Sequence, residues 1–397
     1  MVGSMNGTIY MPVGEVCSSI SDTYREKKNM VTLINTSDVL EGRVLNHERV
    51  PNSNLKGQFK KTFQRDDILY SEIRPQNRRF AYVDFSPIDY IASTKLMVIR
   101  AKKDVVSPKY LYYFLKNSST VAELQLLAET RSGTFPQITF SEVANLTIPV
   151  PSLAVQEVIV QTMQCLEDMI TCNEQINDNL EQQAQSYFQE LFVDNADPEW
   201  AIGTISDLGT VVGGSTPSKA KPEYYTESGI AWITPKDLSI NKSKFVSHGE
   251  NDITELGLKN SSAAIMPEGT VLFSSRAPIG YIAIAAGEVT TNQGFKSVVP
   301  KPEIGTPFVY FFLKNTLPVI EGMASGSTFK EVSGSTMKNV PAVIPDAETL
   351  AKFSDFCAPI FAQQRILEEQ NQSLATLRDN LLPKLMSGEI DVSAVQL

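Results

Sequence analysis

The side chains with the types and spacing to grip a polyanion fall in a few short stretches. RPQNRRF packs Arg74, Gln76, Asn77, Arg78 and Arg79 together. Arginine presents a planar fork of donors to a guanine edge, and Asn or Gln pairs with adenine. Lys60, Lys61 and Arg65 lie just upstream. In GGSTPSKAKPEYY, Gly213, Gly214, Ser215 and Thr216 offer N–H groups and hydroxyls suited to phosphate oxygens. Lys219, Lys221, Tyr224 and Tyr225 follow. Trp232, Thr234, Lys236 and Asp237 form a further cluster, whose Trp is better read as core than as ligand. Arg276 follows Ser274 and Ser275 and is matched with Arg74, and Asn292 with Gln293 could address adenine. Thr134 and Thr328 sit in Gly-Ser/Thr stretches at matching places. A structural alternative stays open for each: a tight turn with solvated lysines, an Arg paired with a carboxylate, an Asn that satisfies a turn.

Other chemistries find little support. The chain has two histidines, His47 and His248. TVVGGSTP is not a G-x-G-x-x-G loop, and no phosphate-binding G-x-x-x-x-G-K-S/T motif occurs. Cys17, Cys165, Cys172 and Cys357 lack metal-ligand spacing, and Cys165 and Cys172, one heptad apart, suit packing. The expectation is no catalytic residue, no metal and no cofactor bound by this chain. No apolar run reaches the roughly 18 residues of a membrane span, and no signal peptide is expected. The reading is a reduced, cytoplasmic protein.

These stretches need elements to hold them. Ile159, Met163, Leu166, Ile170, Asn173, Asn177, Leu180, Ala184, Tyr187 and Leu191 alternate steps of four and three. That spacing predicts a helix of about 33 residues with a coiled-coil seam. The same steps recur at Phe353, Cys357, Ile360, Gln364, Leu367, Asn371, Leu374, Arg378, Leu381 and Leu385. Asn177 and Asn371 hold equivalent places, where a seam Asn fixes register. Both sit just past the middle of their helices, so an antiparallel pairing could bring them close. Two separate amphipathic helices, each packed on its own globule, are the alternative.

The repeat extends beyond the helices. YYFLKN (112–117) returns as YFFLKN (310–315), and VTLINTSDV (31–39) as IAWITPKDL (230–238). DDILYSEIRP (66–75) returns as GTVLFSSRAP (269–278), and GTFPQITFSEVANLTIPVPS (133–152) as STFKEVSGSTMKNVPAVIPD (327–346). The expected fold is α+β: two repeated globular domains, each followed by a long helix, with the helices paired as an antiparallel coiled coil. The divisions are 1–152, first domain; 153–193, central helix; 194–346, second domain; 347–397, C-terminal helix and tail. SPKYLYYFLKNSSTVAELQLLAE is expected to be helical with a break near Asn117.

The net charge of −10 is unevenly placed. Residues 1–150 carry +4, 151–200 carry −10 with no Lys or Arg, 201–345 are neutral, and 346–397 carry −4. The acidity belongs to the helices, which suit a spacer or a protein-docking surface. The globular segments are left free to present a basic face.

VGGSTPSKAKPEYYTESGIAWITPKDL, the F-P-Q-I-T stretch leading into IPVPS, and LLPKLMSGEIDV after the last helix resemble the specificity subunit of Type I restriction–modification systems. The resemblance covers essentially the whole chain. It implies two target recognition domains, each reading one half of a split sequence in double-stranded DNA. It implies two long helices that act as a ruler and dock two methyltransferase subunits, with restriction subunits as further partners. S-adenosylmethionine and ATP would then be bound by partners. One departure is visible: SSISDTYREKKN stands near the place of the Gly-Ser-Thr-Pro loop in the first copy. A non-catalytic coiled-coil adaptor, binding protein or carbohydrate, is the alternative reading.

Overall fold

The computed structural model describes residues 8–53, 57–131, 134–326 and 330–392. The chain divides into two compact units, one formed by 1–170 with 373–397 and the other by 171–372. Each is described separately.

The first unit opens on a ribbon in which strand Ile9–Pro12 pairs antiparallel with Thr147–Val150. Two four-stranded sheets follow. In one, Cys17–Ile20 and Ile68–Ser71 flank Leu96–Ala101, and Phe80–Tyr82 lies outside Ile68–Ser71. In the other, Met30–Ile34 runs parallel to Tyr90–Ser93, with Arg49–Pro51 and Phe59–Lys61 at its edges. The apolar run Leu96–Ile99 suits a strand buried on both faces, and five of the six residues of Leu96–Ala101 are buried, the exception being Arg100, which pairs with Asp67. Helices Pro108–Lys116 and Ser118–Arg131 meet at Asn117, where the break was expected. Tyr110, Leu111 and Tyr113 of the first of these helices share a core with Ile159 and Met163 of the long helix and with Leu382, Leu385 and Met386 near the C-terminus.

The second unit repeats the plan. Ala201–Thr204 pairs antiparallel with Pro341–Ile344. A five-stranded sheet runs in the order Gly209–Gly213, Lys296–Pro300, Val271–Ser275, Ile279–Ala285, Phe245–Val246. Trp232–Ile233 lies parallel to Thr290–Thr291, as Met30–Ile34 does to Tyr90–Ser93 in the first unit. Thr306–Gly322 is one helix. Its Phe308 and Phe311 join Phe188, Phe192 and Phe353 in an aromatic cluster, with ring centroids 4.8 Å apart for Phe192–Phe308 and 5.2 Å for Phe192–Phe353.

The two heptad stretches are helices, Leu153–Gln189 and Ala347–Ser387. The first continues through a π-helical turn, Glu190–Asp194. The polar contacts between their segments in the second unit differ from expectation. Asn173 Nδ2 donates to Asn371 Oδ1 at 2.9 Å. Asn177 Nδ2 instead donates to the Gln364 carbonyl at 3.5 Å, and Gln364 Nε2 donates to the Asn177 carbonyl at 3.2 Å. The segments are staggered by about one helical turn from the register that would put Asn177 against Asn371.

Candidate nucleic-acid interface

In the first unit the Arg-rich stretch is a short 3₁₀ turn, Pro75–Asn77, between two residues in left-handed conformation, Arg74 at φ 44° and Arg78 at φ 51°. Arg74, Gln76 and Asn77 are exposed. The other two arginines also make contacts within the unit. Arg78 Nη2 donates to Ser118 Oγ at 2.8 Å, and Arg79 Nη1 donates to the Ser37 carbonyl at 3.0 Å. They brace the turn against a helix start and the 3₁₀ turn Thr36–Asp38. Arg74 keeps its guanidinium unpaired among the described residues, and Thr134 is exposed at the end of a neighbouring segment.

In the second unit the Gly-Ser-Thr-Pro loop is laid along Thr291–Gly294. Ser215 N donates to the Thr291 carbonyl at 2.8 Å, so this N–H is not free for phosphate as the sequence suggested. Thr216 Oγ1 donates to Gln293 Oε1. Gly214 is required by contact: a Cβ there would stand 2.1 Å from the Asn292 carbonyl oxygen. Trp232 is buried and donates Nε1–H to the Ser215 carbonyl at 3.0 Å. Tyr225 packs edge-on against Trp232 and donates to the Pro217 carbonyl at 2.6 Å. Asn292 caps its own turn, Oδ1 accepting from Gly294 N at 2.8 Å, which is the structural alternative left open for it. Gly214, Ser215, Thr216, Tyr225, Asn292 and the exposed Gln293 thus form one surface. Lys219 is exposed near it. Lys236 is held by Glu250 at 2.5 Å. Thr328 lies outside the described residues.

In the first unit the equivalent edge is occupied by a strand. Phe59–Lys61 pairs with Ala92 and Ser93, and Thr94 N donates to the Gln58 carbonyl. The chain after Cys17–Ile20 is displaced outward, Tyr24 N donating to the Lys60 carbonyl. An inserted strand therefore accounts for the missing loop.

Arg276 is not the structural counterpart of Arg74. Ile73 bridges Gln137, whereas Arg276 bridges Glu331. Arg74 matches Ala277, both in left-handed conformation (φ 44° and 47°) and both followed by proline. The two arginines are one residue out of step. Arg276 Nη1 lies 3.6 Å from Glu331 Oε2, and Lys296 Nζ lies 3.9 Å from Glu331 Oε1. Burial pushes the Lys296 ammonium below its ordinary range, against the pull of Glu331. Lys296 and Glu331 carried no motif and were missed from sequence.

Each globular region is clamped to the first long helix by lysines on glutamate. In the first unit Lys116 Nζ and the Tyr113 hydroxyl both donate to Glu167. In the second, Glu181 takes Lys244 at 2.7 Å and Lys314 at 2.5 Å. Lys244 also stands 3.5 Å from the Phe361 ring centroid. Burial pushes Lys244 down to about 8 despite Glu181. Burial acts to raise Glu181, but the two lysines outweigh it and hold it below the usual carboxylate range. Part of the helix acidity is thereby explained as structural.

The family model of the Type I restriction modification DNA specificity domain matches twice, over residues 10–182 and 198–377. The chain belongs to the Type I restriction–modification specificity family. A relative in this family, the HindI specificity subunit of Haemophilus influenzae, is 29% identical, covering 91% of this chain and 94% of its own. The MjaIX specificity subunit of Methanocaldococcus jannaschii is 39% identical over 194 residues, 47% of this chain and 45% of its own. Among solved structures, the S subunit of the Type I system of M. genitalium shares the fold at a TM-score of 0.55 and 16% identity, covering 99% of each chain. The two family matches fall on the two copies of the repeat, so the specificity domain is duplicated within one chain. Among the described residues, no helix is long and apolar enough to cross a membrane.

Proposed function

We propose that this chain is the DNA sequence-specificity subunit of a Type I restriction–modification enzyme, with each repeat reading one half of a bipartite target. The observation that carries this reading is the duplicated specificity-domain match, one copy per globular repeat. It is supported by polar surfaces built at matching places from different side chains, as two readers of different sequences require. The chain reads and its partners catalyse: two methyltransferase subunits supply methyl transfer, and restriction subunits supply cleavage. The two domains span 1–152 and 194–346, and the helices pair antiparallel over their length, with Asn177 and Asn371 helping to set register. The helices fix the gap between half-sites and dock the methyltransferases. The place of action is the cytoplasm.

On the DNA-facing side, Arg74, Gln76, Asn77 and Thr134 serve the first half-site. Gly214, Ser215, Thr216, Lys219, Tyr225, Lys236, Arg276, Asn292, Gln293 and Thr328 serve the second. Arg78 and Arg79 are assigned to shaping the first surface. Mechanistically, lysines and hydroxyls fix the duplex by its phosphates, and Arg, Asn and Gln edges discriminate bases in the major groove. A salt titration of the full chain on a duplex of random sequence tests this. Affinity should fall linearly on a log–log scale, with a slope of about −0.9 per phosphate neutralised. A salt-independent or absent interaction would favour the adaptor reading.

A further inference from the structure

Three chain segments meet at one place in each unit, and the backbone bonds that join them are the same. In the first unit, Glu72 N donates to the Lys95 carbonyl, Ile138 N donates to the Glu72 carbonyl, and Ile73 bridges Gln137. In the second, Ser275 N donates to the Gly294 carbonyl, Val332 N donates to the Ser275 carbonyl, and Arg276 bridges Glu331. The side chains standing on this shared frame differ completely. The first unit carries Lys95 Nζ at 3.1 Å from Gln137 Oε1 and 3.5 Å from Glu72 Oε2. The second carries Arg276 and Lys296 on opposite oxygens of Glu331.

The next residue in each, Arg74 or Ala277, is a non-glycine in left-handed conformation. Such conformations cost energy and cluster where function needs the geometry. A purely structural junction would have no reason to keep the backbone and exchange every polar group. The chemistry present is that of base edges: ammonium or guanidinium for guanine, carboxamide for adenine, carboxylate for the cytosine amine. Lys95 is half exposed, and Arg276 and Glu331 are each exposed by about two-fifths, so all three are reachable from outside.

We infer that this three-segment junction is a specificity-determining position in each unit, with Lys95 and Gln137 discriminating a base in one half-site and Arg276 with Glu331 doing so in the other. In the second unit Glu331 is also a positioning residue: it holds Arg276 and Lys296 in place so that neither binds phosphate indiscriminately. The inference rests on the reading of the chain as a DNA specificity subunit.

The test is selection of a random-sequence duplex library by the full chain and by Gln137→Leu, Lys95→Met, Glu331→Gln and Arg276→Ala, followed by sequencing. Thermal unfolding of each variant verifies folding, and the two substitutions per unit give each junction a second chance. The first pair should relax about one base in one half-site, by roughly ten- to a hundredfold in discrimination, and leave the other half unchanged. The second pair should do the reverse. Glu331→Gln should also tighten binding to unselected duplex and steepen its salt slope by about one phosphate. Folded variants with an unchanged motif, or with equal weakening on all sequences, would overturn this inference alone. A wild-type chain that enriches no motif would instead overturn the specificity reading beneath it.

Discussion

The two units share a frame and part company at its edges. In the first, the strand Tyr90–Ser93 is covered by Phe59–Lys61; in the second, the corresponding edge at Thr291–Gly294 is covered by the Gly-Ser-Thr-Pro loop. One edge is closed by a short antiparallel pairing of two residue pairs with a register shift between them. The other is closed by a loop whose hydroxyls remain near the surface. The same division appears in the clamps to the first long helix. One lysine and one tyrosine hold Glu167 in the first unit, while two lysines and the Tyr310 hydroxyl converge on Glu181 in the second. The lesson is that the parts fixing backbone positions are repeated, and the parts presenting polar groups are free to differ.

Breaking the clamps should separate the units most. Glu181→Ala leaves Lys244 buried without its carboxylate, and removing one partner of a buried pair costs about 3–5 kcal/mol. Glu167→Ala should cost less, because a single ammonium is left. Hydrogen exchange resolved by segment would show the first change opening residues 201–345 and the second opening residues 8–150. Equal effects would remove the distinction between the clamps.

Next in size is the loop. Gly214→Val drives a side chain into the Asn292 carbonyl, and the loop must lift from Thr291–Gly294. The expected outcome is loss of discrimination in one half-site by more than about tenfold, with the other half intact. Duplex-selection sequencing would read it. Retained recognition in both halves would exclude the loop from the interface.

A pH difference should be smaller. Lys244 in the folded chain loses its proton near 8, whereas the unfolded chain holds it to about 10.5. Between those values the unfolded state binds the extra proton, so the contribution of this group to stability rises with pH. From pH 7.5 to 9 the gain is roughly 1 kcal/mol for the second unit. Denaturation midpoints of the wild type against Lys244→Met isolate it; the variant should lack the increment. Smallest of all, Arg74→Ala removes an exposed side chain and should change stability by less than about 0.5 kcal/mol while weakening DNA binding.

Much of this was legible in the sequence. The heptad steps mark both long helices because helix packing imposes a period that a reader can count. The break at Asn117 and the duplication were visible for similar reasons. The interface was legible only where residues cluster locally, as in RPQNRRF, and there Arg78 and Arg79 also hydrogen-bond within the unit, to Ser118 and to the Ser37 carbonyl. Lys95, Glu72, Lys296 and Glu331 escaped because their meeting depends on pairing between segments distant in sequence, which leaves no local pattern. Gln137 and Glu331 already faced each other in the repeat alignment, and matching 93–95 with 292–294 would have completed the junction. Asn177 and Asn371 do not meet each other, because equivalent positions in two repeats need not oppose one another; Asn173 meets Asn371, and Asn177 meets the Gln364 carbonyl.

The central claim is tested most directly by methylome sequencing of cells that express this chain with a candidate partner methyltransferase, against cells with the methyltransferase alone. The account predicts methylated bases in a two-part motif with a fixed gap, present only with this chain. Methylation in an undivided motif, or the same methylation without this chain, would contradict it.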